Sequence, residues 1–197
     1  MIRVAICGNI ACGKSLVQEF IEDSGYKVLD SDCIAHDLLK RHTNEIVSLF
    51  FEYDIVDGEN NISREKLGKL IFSNAELKTK LEQFMHPKIR EEIEKFFSIN
   101  SAASLLFVGI PLLFEAGMTD LFDKIIFIYA DDEIRLKRLI TRNNYSAEYA
   151  QIRINSQIPQ EEKLSKCDYI IKNNQSKEIL KSKISELLEI LLAANIK

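Results

Sequence analysis

Gly8-Asn9-Ile10-Ala11-Cys12-Gly13-Lys14-Ser15 is the most informative segment of the chain. It matches G-x-x-x-x-G-K-[ST], a glycine-rich loop whose backbone N–H groups surround the phosphates of a nucleotide. The apolar run Ile2–Cys7 before it is typical of a buried parallel strand. Residues 14–24 after it have the apolar spacing of a helix, whose positive dipole end would face the loop. Strand, loop and helix together predict a phosphate-binding site.

The composition restricts the class of protein. The chain has 197 residues, of which 46% are hydrophobic and 28% charged, enough for one compact domain with small insertions. No apolar run reaches the roughly 18 residues of a membrane span, and the net charge of -4 is unlike the basic balance of nucleic-acid-binding proteins. The four cysteines, Cys7, Cys12, Cys33 and Cys167, fit neither a CxxC pair nor a zinc pattern. We therefore expect a cytoplasmic protein that binds neither membrane nor nucleic acid.

Strand and helix patterns alternate along the rest of the chain. Further strands are predicted at residues 26–29, 104–110, 124–129 and 169–171. Helical spacing is found at residues 34–40, 45–53, 64–72, 76–84, 88–97, 133–142, 146–156 and 177–193, with a turn at 57–61. This alternation predicts an α/β fold with a parallel five-stranded sheet flanked by helices, interrupted by a helical insertion between the second and third strands.

Two classes of phosphate-loop protein compete, the switch GTPases and the kinases. The GTPase motifs D-x-x-G and N-K-x-D are missing from the sequence. A kinase needs an acceptor site, and Asp30 and Asp32 follow the second predicted strand at the sheet edge where ligands bind. Strand alternation would place both carboxylates on one side, where one of them could remove the proton of an acceptor hydroxyl. Asp32 could instead cap the following helix.

Three arginines and the loop itself supply the other expected kinase groups. Arg138 and Arg142 share a face of a predicted helix and Arg153 lies in the next, so they could stabilise a transferring phosphoryl group or simply form a solvated face. Lys14 is expected to reach the β- and γ-phosphates of ATP, and the Ser15 hydroxyl to bind Mg²⁺. Cys12 is expected near a helix N-terminus, which favours a reactive thiolate; alternatively, any small residue suffices there.

With these residues in place, the chain resembles the dephospho-CoA kinase family in several blocks that keep one order over nearly its whole length. The blocks are the phosphate loop, LDSDCIAHDLL at 29–39, His86-Pro87, IPLLFEAG at 110–117, RLITR at 138–142, RINSQIP at 153–159 with Lys163, and DYIIKN at 168–173. A phosphate loop alone is shared by many families, but this ordered series is specific.

The resemblance implies a reaction in which ATP phosphorylates the ribose 3′-hydroxyl of dephospho-CoA, giving coenzyme A and ADP. It implies that Asp32 is the general base and, with Ser15, a Mg²⁺ ligand, and that Arg142, helped by Arg138, stabilises the transferring group. The expected nucleotide contacts are residues 8–15, Leu16 and Asn173. The expected dephospho-CoA contacts are Asp30, Asp32, His86, Pro87, Leu113 and Arg153.

The resemblance also divides the chain by function. Residues 1–40, 101–132 and 160–197 are expected to form the nucleotide-binding core. Residues 41–100 are expected to form the helical acceptor-binding insertion, and residues 133–159 the lid. We expect a monomer that binds only its small-molecule substrates.

Some positions depart from the family pattern. Asn9, Ala11 and Cys12 change the middle of the loop, and Leu16 replaces a threonine, which removes a polar contact. Gly109 stands where the family tends to carry an acidic residue, so Ser15 and Asp32 would do more of the Mg²⁺ binding, with Glu115 as a candidate contributor. Two alternatives stay open: a kinase acting on a nucleoside or nucleotide, and a nucleotide-binding protein without activity.

Overall fold

The computed structural model of the protein describes residues 1–194 and contains one parallel sheet at the centre of its first compact unit. The sheet has five strands in the order β2-β3-β1-β4-β5. The strands are β1 (Ile2–Cys7), β2 (Lys27–Asp30), β3 (Leu105–Gly109), β4 (Lys124–Tyr129) and β5 (Tyr169–Lys172), and every neighbouring pair is parallel. The predicted α/β fold with a parallel five-stranded sheet is confirmed.

Nine α-helices and a short 3₁₀ helix connect or cover these strands in residues 1–194. They are α1 (Lys14–Asp23), α2 (Ser31–Arg41), α3 (Thr43–Leu49), α4 (Arg64–Ser73), α5 (Ala75–Ile99), α6 (Asp132–Asn143), α7 (Ala147–Asn155), α8 (Gln160–Leu164) and α9 (Lys177–Ala194), with the 3₁₀ turn at Thr119–Leu121. None of the helices described in this part of the chain combines the length and apolarity that crossing a bilayer demands.

The core of the first unit lies between the sheet and the helices α1 and α9. Because β1 is the middle strand, its residues Val4 and Ile6 are fully buried. The α9 residues that join this core are Leu180, Ile184, Leu187, Leu188 and Leu191. Ile179 of the same helix is 41% exposed and lies outside this buried face.

The chain forms two compact units, residues 1–30 with 96–197, and residues 31–95. The second unit contains α2, α3, α4 and most of α5, and an ion pair of 2.9 Å between Arg41 and Glu92 ties α2 to α5. A short bridge between Val56 and Ile62 encloses the predicted turn. The functional division at residues 41–100 and 133–159 stays a prediction, and residues 195–197 of the expected core lie outside the described residues.

Three sequence expectations about elements are corrected. The helices predicted at 76–84 and 88–97 are one helix, α5, with Pro87 inside it. Its buried residues Leu81, Met85, Ile93 and Phe97 form one stripe on both sides of the proline. This burial offsets the roughly 3 kcal/mol that an internal proline costs.

The second and third corrections concern short segments. Helix α8 was not predicted, because five residues after Pro159 carry too little periodicity. Strand β2 ends at Asp30 and α2 begins at Ser31, so the strand alternation expected to align Asp30 with Asp32 does not extend to Asp32. Asp32 lies inside the first turn of α2 rather than before it.

Candidate active site at the phosphate loop

The loop between β1 and α1 needs glycine at both ends. A Cβ atom on Gly8 would lie 2.6 Å from the Cys12 sulfur and 2.6 Å from the Ile128 carbonyl oxygen, closer than any side chain can approach. Gly13 has a φ of 96°, in the left-handed region, and a Cβ there would collide with the Asn173 amide. The two glycines of the motif are therefore fixed by packing and backbone geometry.

Ala11 is the strained residue of the loop. Its φ is 62°, a left-handed conformation that costs a non-glycine residue roughly 1 kcal/mol. The conformation is held by a turn in which the Cys12 N–H donates to the Asn9 carbonyl at 3.1 Å, and by Arg138, which donates to the Ala11 carbonyl at 3.2 Å. This departure from the family pattern thus keeps the shape that glycine would adopt more easily.

Two buried or half-buried arginines of α6 bind the carbonyl groups of the loop. Arg135 is 2% exposed, and its Nε donates to the Ile10 carbonyl at 3.0 Å. Arg138 donates to the carbonyls of Ala11 and Cys12, each at 3.2 Å, and of Asn173 at 2.9 Å. Sequence reasoning selected Arg138 but missed Arg135, although its spacing of three residues from Arg138 was a usable signal.

A polar network fastens the loop to residues 157–163. The Asn9 amide donates to the Ile158 carbonyl at 2.9 Å, and its oxygen accepts from Lys163 at 3.0 Å. Lys163 is 2% exposed and pairs with Glu115 at 2.7 Å, so its buried charge is compensated. The Ile10 N–H donates to the Gln157 side chain at 2.7 Å. Asn9, another departure from the family pattern, therefore holds the loop against the segment that follows α7.

Lys14 is held in a triangle of side chains at the carboxyl edge of the sheet. Its ammonium donates to the Gln18 carboxamide oxygen at 2.9 Å and to an Asp30 carboxylate oxygen at 3.1 Å. The Gln18 amide nitrogen donates to the same Asp30 oxygen at 2.7 Å. Lys14 and Asp30 were both predicted site residues, and the structure brings them together. Gln18 was missed, although it lies one helical turn after Lys14.

Two departures noted in the sequence are explained by packing. Leu16 is half-buried and packs against the core between the sheet, α1 and α9. Gly109 leaves the space in which the Gln18 side chain lies, because a Cβ there would be 2.5 Å from the Gln18 amide nitrogen. The absence of a side chain at residue 109 therefore does not leave a void.

The hypothesis of a reactive Cys12 is wrong. Cys12 is 1% exposed, and burial raises the pKa of its thiol, outweighing the Lys14 backbone N–H and the nearby arginines, which lower it. The penalty of placing a thiolate in the core exceeds the attraction of the helix N-terminus.

Three other predicted site residues of the first unit, Arg142, Arg153 and Leu113, lie outside the phosphate loop and the Lys14 triangle. Arg142 is exposed in the last turn of α6 and donates to the Asn143 side chain at 2.9 Å, and Arg153 is half-buried near the end of α7. Leu113 is fully buried, so a direct contact with a substrate is not supported.

Three of the expected acceptor contacts belong to the second unit. Asp32 is exposed in α2, while His86 is half-buried and Pro87 exposed in α5.

Two residues expected on the nucleotide side belong to the first unit. Ser15 is exposed at the start of α1, and Asn173 is buried, donating from its side chain to the Cys12 carbonyl at 2.8 Å. The roles expected for these residues stay predictions.

Comparison with known proteins identifies a family. The family model described as dephospho-CoA kinase matches residues 2–178. A dephospho-CoA kinase of Campylobacter jejuni is 40% identical over 175 residues, covering 87% of each chain. One of Listeria monocytogenes is 37% identical over 193 residues, 94% of this chain and 95% of the relative. A solved structure, a dephospho-CoA kinase from Campylobacter jejuni, matches with a TM-score of 0.76 at 36% identity over 98% of both chains.

Proposed function

The chain belongs to the dephospho-CoA kinase family, which uses ATP to phosphorylate dephospho-CoA to coenzyme A, and from this premise we propose how its residues perform the reaction. One observation carries the proposal: an intact phosphate loop ends in Lys14, whose ammonium lies 3.1 Å from Asp30 at the carboxyl edge of a parallel sheet. That edge is where open α/β sheets bind their ligands. The acceptor atom is the ribose 3′-hydroxyl, and ADP is the second product.

Residues 8–15 hold the phosphates of ATP in this proposal. The backbone N–H groups and the positive end of α1 attract the phosphate oxygens. Lys14 neutralises charge on the β- and γ-phosphates as the phosphoryl group leaves. Asn173 and Arg138 support the loop through hydrogen bonds to backbone carbonyls. Asn173 donates to the Cys12 carbonyl, and Arg138 donates to the carbonyls of Ala11 and Asn173. We therefore assign Arg138 to loop support rather than to the transferring group, which leaves Arg142 for that role.

We propose Mg²⁺ as the metal, bound together with the nucleotide rather than by protein groups alone. Within residues 1–194, no group of three His, Cys, Asp or Glu side chains is placed to hold a metal by itself. Mg²⁺ usually takes one or two protein oxygens and completes its shell with waters and substrate phosphates. Ser15, which is exposed, and Asp32 would be those ligands. The ion would neutralise part of the negative charge of the phosphates.

Asp32 is the proposed general base. It is exposed in the first turn of α2, where a helix N-terminus stabilises an ionised carboxylate, the form that accepts a proton. Asp30, His86, Pro87 and Arg153 are proposed to bind the acceptor.

The larger segments have proposed roles as well. Residues 41–100 bind the acceptor and residues 133–159 close over the phosphates. Closure of such a lid excludes water, which would otherwise compete with the acceptor hydroxyl. The protein is proposed to act in the cytoplasm as a monomer.

The test is ATP consumption with dephospho-CoA, with AMP, with a nucleoside and without an acceptor. We expect turnover with dephospho-CoA alone. Lys14→Ala should lower kcat by about 10²–10³, the cost of losing a preorganised electrostatic group. Turnover with a nucleoside but not with dephospho-CoA would favour the nucleoside kinase alternative, and no turnover with any acceptor would favour a binding protein.

In the same assay, Asp32→Asn should lower kcat by about 10²–10⁴, the range for a lost general base, while ATP binding persists. Asp37→Asn, an exposed carboxylate on the same helix, is the matched control and should stay near wild type. Equal activities of the two variants would remove Asp32 from the mechanism.

A further inference from the structure

Gln18 is a buried polar residue whose position depends on the missing side chain of Gly109. It is 6% exposed, and its carboxamide occupies the space beside the Gly109 Cα atom. Strand register places Gly109 directly beside Asp30 on one neighbouring strand and beside Ile6 on the other. Gln18 therefore reaches across the carboxyl end of β3 to meet the Asp30 carboxylate.

We infer that Gln18 is a positioning residue that fixes the ammonium of Lys14 for phosphoryl transfer, and that glycine at residue 109 is required for this placement. The inference rests on the proposed role of Lys14. It is carried by the closed triangle in which Gln18 accepts from Lys14 at 2.9 Å, donates to Asp30 at 2.7 Å, and Asp30 accepts from Lys14 at 3.1 Å.

The chemistry of the triangle suits a glutamine. The carboxamide oxygen accepts from Lys14 while the carboxamide nitrogen donates to Asp30, and glutamine has both groups on one side chain. Glutamate in its place would set a second carboxylate against Asp30, and methionine would fill the same volume without either hydrogen bond. The side chain is therefore specified by its hydrogen bonds as well as by its size.

The triangle leaves Lys14 able to act on a nucleotide. An ammonium has three N–H groups, so Lys14 can keep both protein acceptors and donate to a phosphate oxygen. Lysine has a long, flexible stem with many accessible rotamers. Two acceptors on different elements, Gln18 on α1 and Asp30 on β2, restrict that freedom before the nucleotide arrives.

Gly109 gives the inference its own test. A methyl group at residue 109 would lie 2.5 Å from the amide nitrogen, 2.7 Å from the carboxamide carbon and 2.9 Å from the oxygen of Gln18. The clash is with the far end of a flexible side chain, so Gly109→Ala should fold and displace the carboxamide. In a Gln18→Ala background the same methyl group meets no carboxamide.

The experiment measures kcat and KM for both substrates, with thermal unfolding, in Gln18→Met, Gln18→Ala, Gly109→Ala and the double variant Gln18→Ala/Gly109→Ala. Each single variant should lower kcat about ten- to a hundredfold, because small displacements of a catalytic group have effects of this size. KM for dephospho-CoA should stay within about twofold. The double variant should be no slower than Gln18→Ala, because the two residues act through one contact.

The control is Gln175→Met. Gln175 also accepts from a lysine, Lys183, at 3.2 Å, but it is exposed and outside the loop, so wild-type kinetics are expected. Wild-type kcat in Gln18→Met would overturn the inference, since filling the space would then suffice. Multiplying losses in the double variant would overturn it too. An active Lys14→Ala would contradict the proposed function itself, whereas an inactive Lys14→Ala beside a fully active Gln18→Met would contradict this inference alone.

Discussion

Cys12 shows at the scale of a single residue how burial controls chemistry in the phosphate loop. Its thiol contributes to the core that β1, α1 and α9 share, and that desolvation raises its pKa. Cys7 is also buried, whereas Cys33 is exposed and Cys167 half-buried. Because the thiolate is the reacting form and must be accessible, the four residues should differ strongly in reactivity.

We expect a maleimide to modify Cys33 and Cys167 in the native protein well before Cys12 and Cys7. The reason is exposure, reinforced at Cys167 by a hydrogen bond with Cys7 that lowers its pKa. Peptide mass spectrometry over a labelling time course measures the order. The denatured protein, in which all four thiols should react at similar rates, is the control. Modification of Cys12 as fast as Cys33 in the native protein would contradict the buried placement.

The residues of the site differ in how far the sequence could predict them. The position of Lys14 follows from a local motif whose backbone shape is set by Gly8 and Gly13, so the spacing of the motif was enough to select it. The contact made by Gln18 depends on tertiary structure. Gln18 lies on α1, whereas its partner Asp30 lies on β2 and the space it fills lies beside Gly109 on β3. No local pattern indicates that contact.

Helix α6 is the element that shapes the loop from its carbonyl side. Arg135 and Arg138 lie one turn apart and both reach loop carbonyls, while Leu139 from the same helix packs with residues of α7. The helix thereby combines an apolar contact with α7 and a cationic contact with the loop. Its position and the conformation of the loop are mutually dependent.

Arg135→Met should lower the free energy of unfolding by about 1–3 kcal/mol, because the Ile10 carbonyl would lose its buried donor. Urea denaturation measures the change. Lys137→Met, exposed on the same helix, is the matched control and should differ little from wild type. Equal stability of the two variants would show that the contact with the Ile10 carbonyl is not needed for folding.

The bounds of helices and strands were predicted best where the end of an apolar pattern coincides with a residue type that commonly ends such an element. Strands β1 and β4 have the predicted bounds because apolar runs end at a glycine or at charged residues. The split at Pro87 was wrong because buried contacts on both sides outweigh the local cost of proline, and sequence propensity does not include that burial.

The apolar face of α9 packs against the core of its own chain. Leu180, Ile184, Leu187, Leu188 and Leu191 are buried in the core of the first unit, so this face is not available to a second copy. We expect a single species near the chain mass of 22.6 kDa in light scattering after gel filtration. The measurement should be repeated at two concentrations, and twice that mass at both would contradict the monomer.

The connection between β2 and β3 has an evolutionary consequence. These neighbouring strands are parallel, with Asp30 beside Gly109. The chain must therefore run back from the carboxyl ends of the strands to their amino ends before β3 can begin. Residues 31–95 form a compact unit within that obligatory return path. Changes in the part of this unit that follows α2, residues 42–95, would leave β2, the phosphate loop and the proposed base Asp32 unchanged in sequence. The lineage can therefore diversify the part proposed to recognise the acceptor while its ATP chemistry is inherited unchanged.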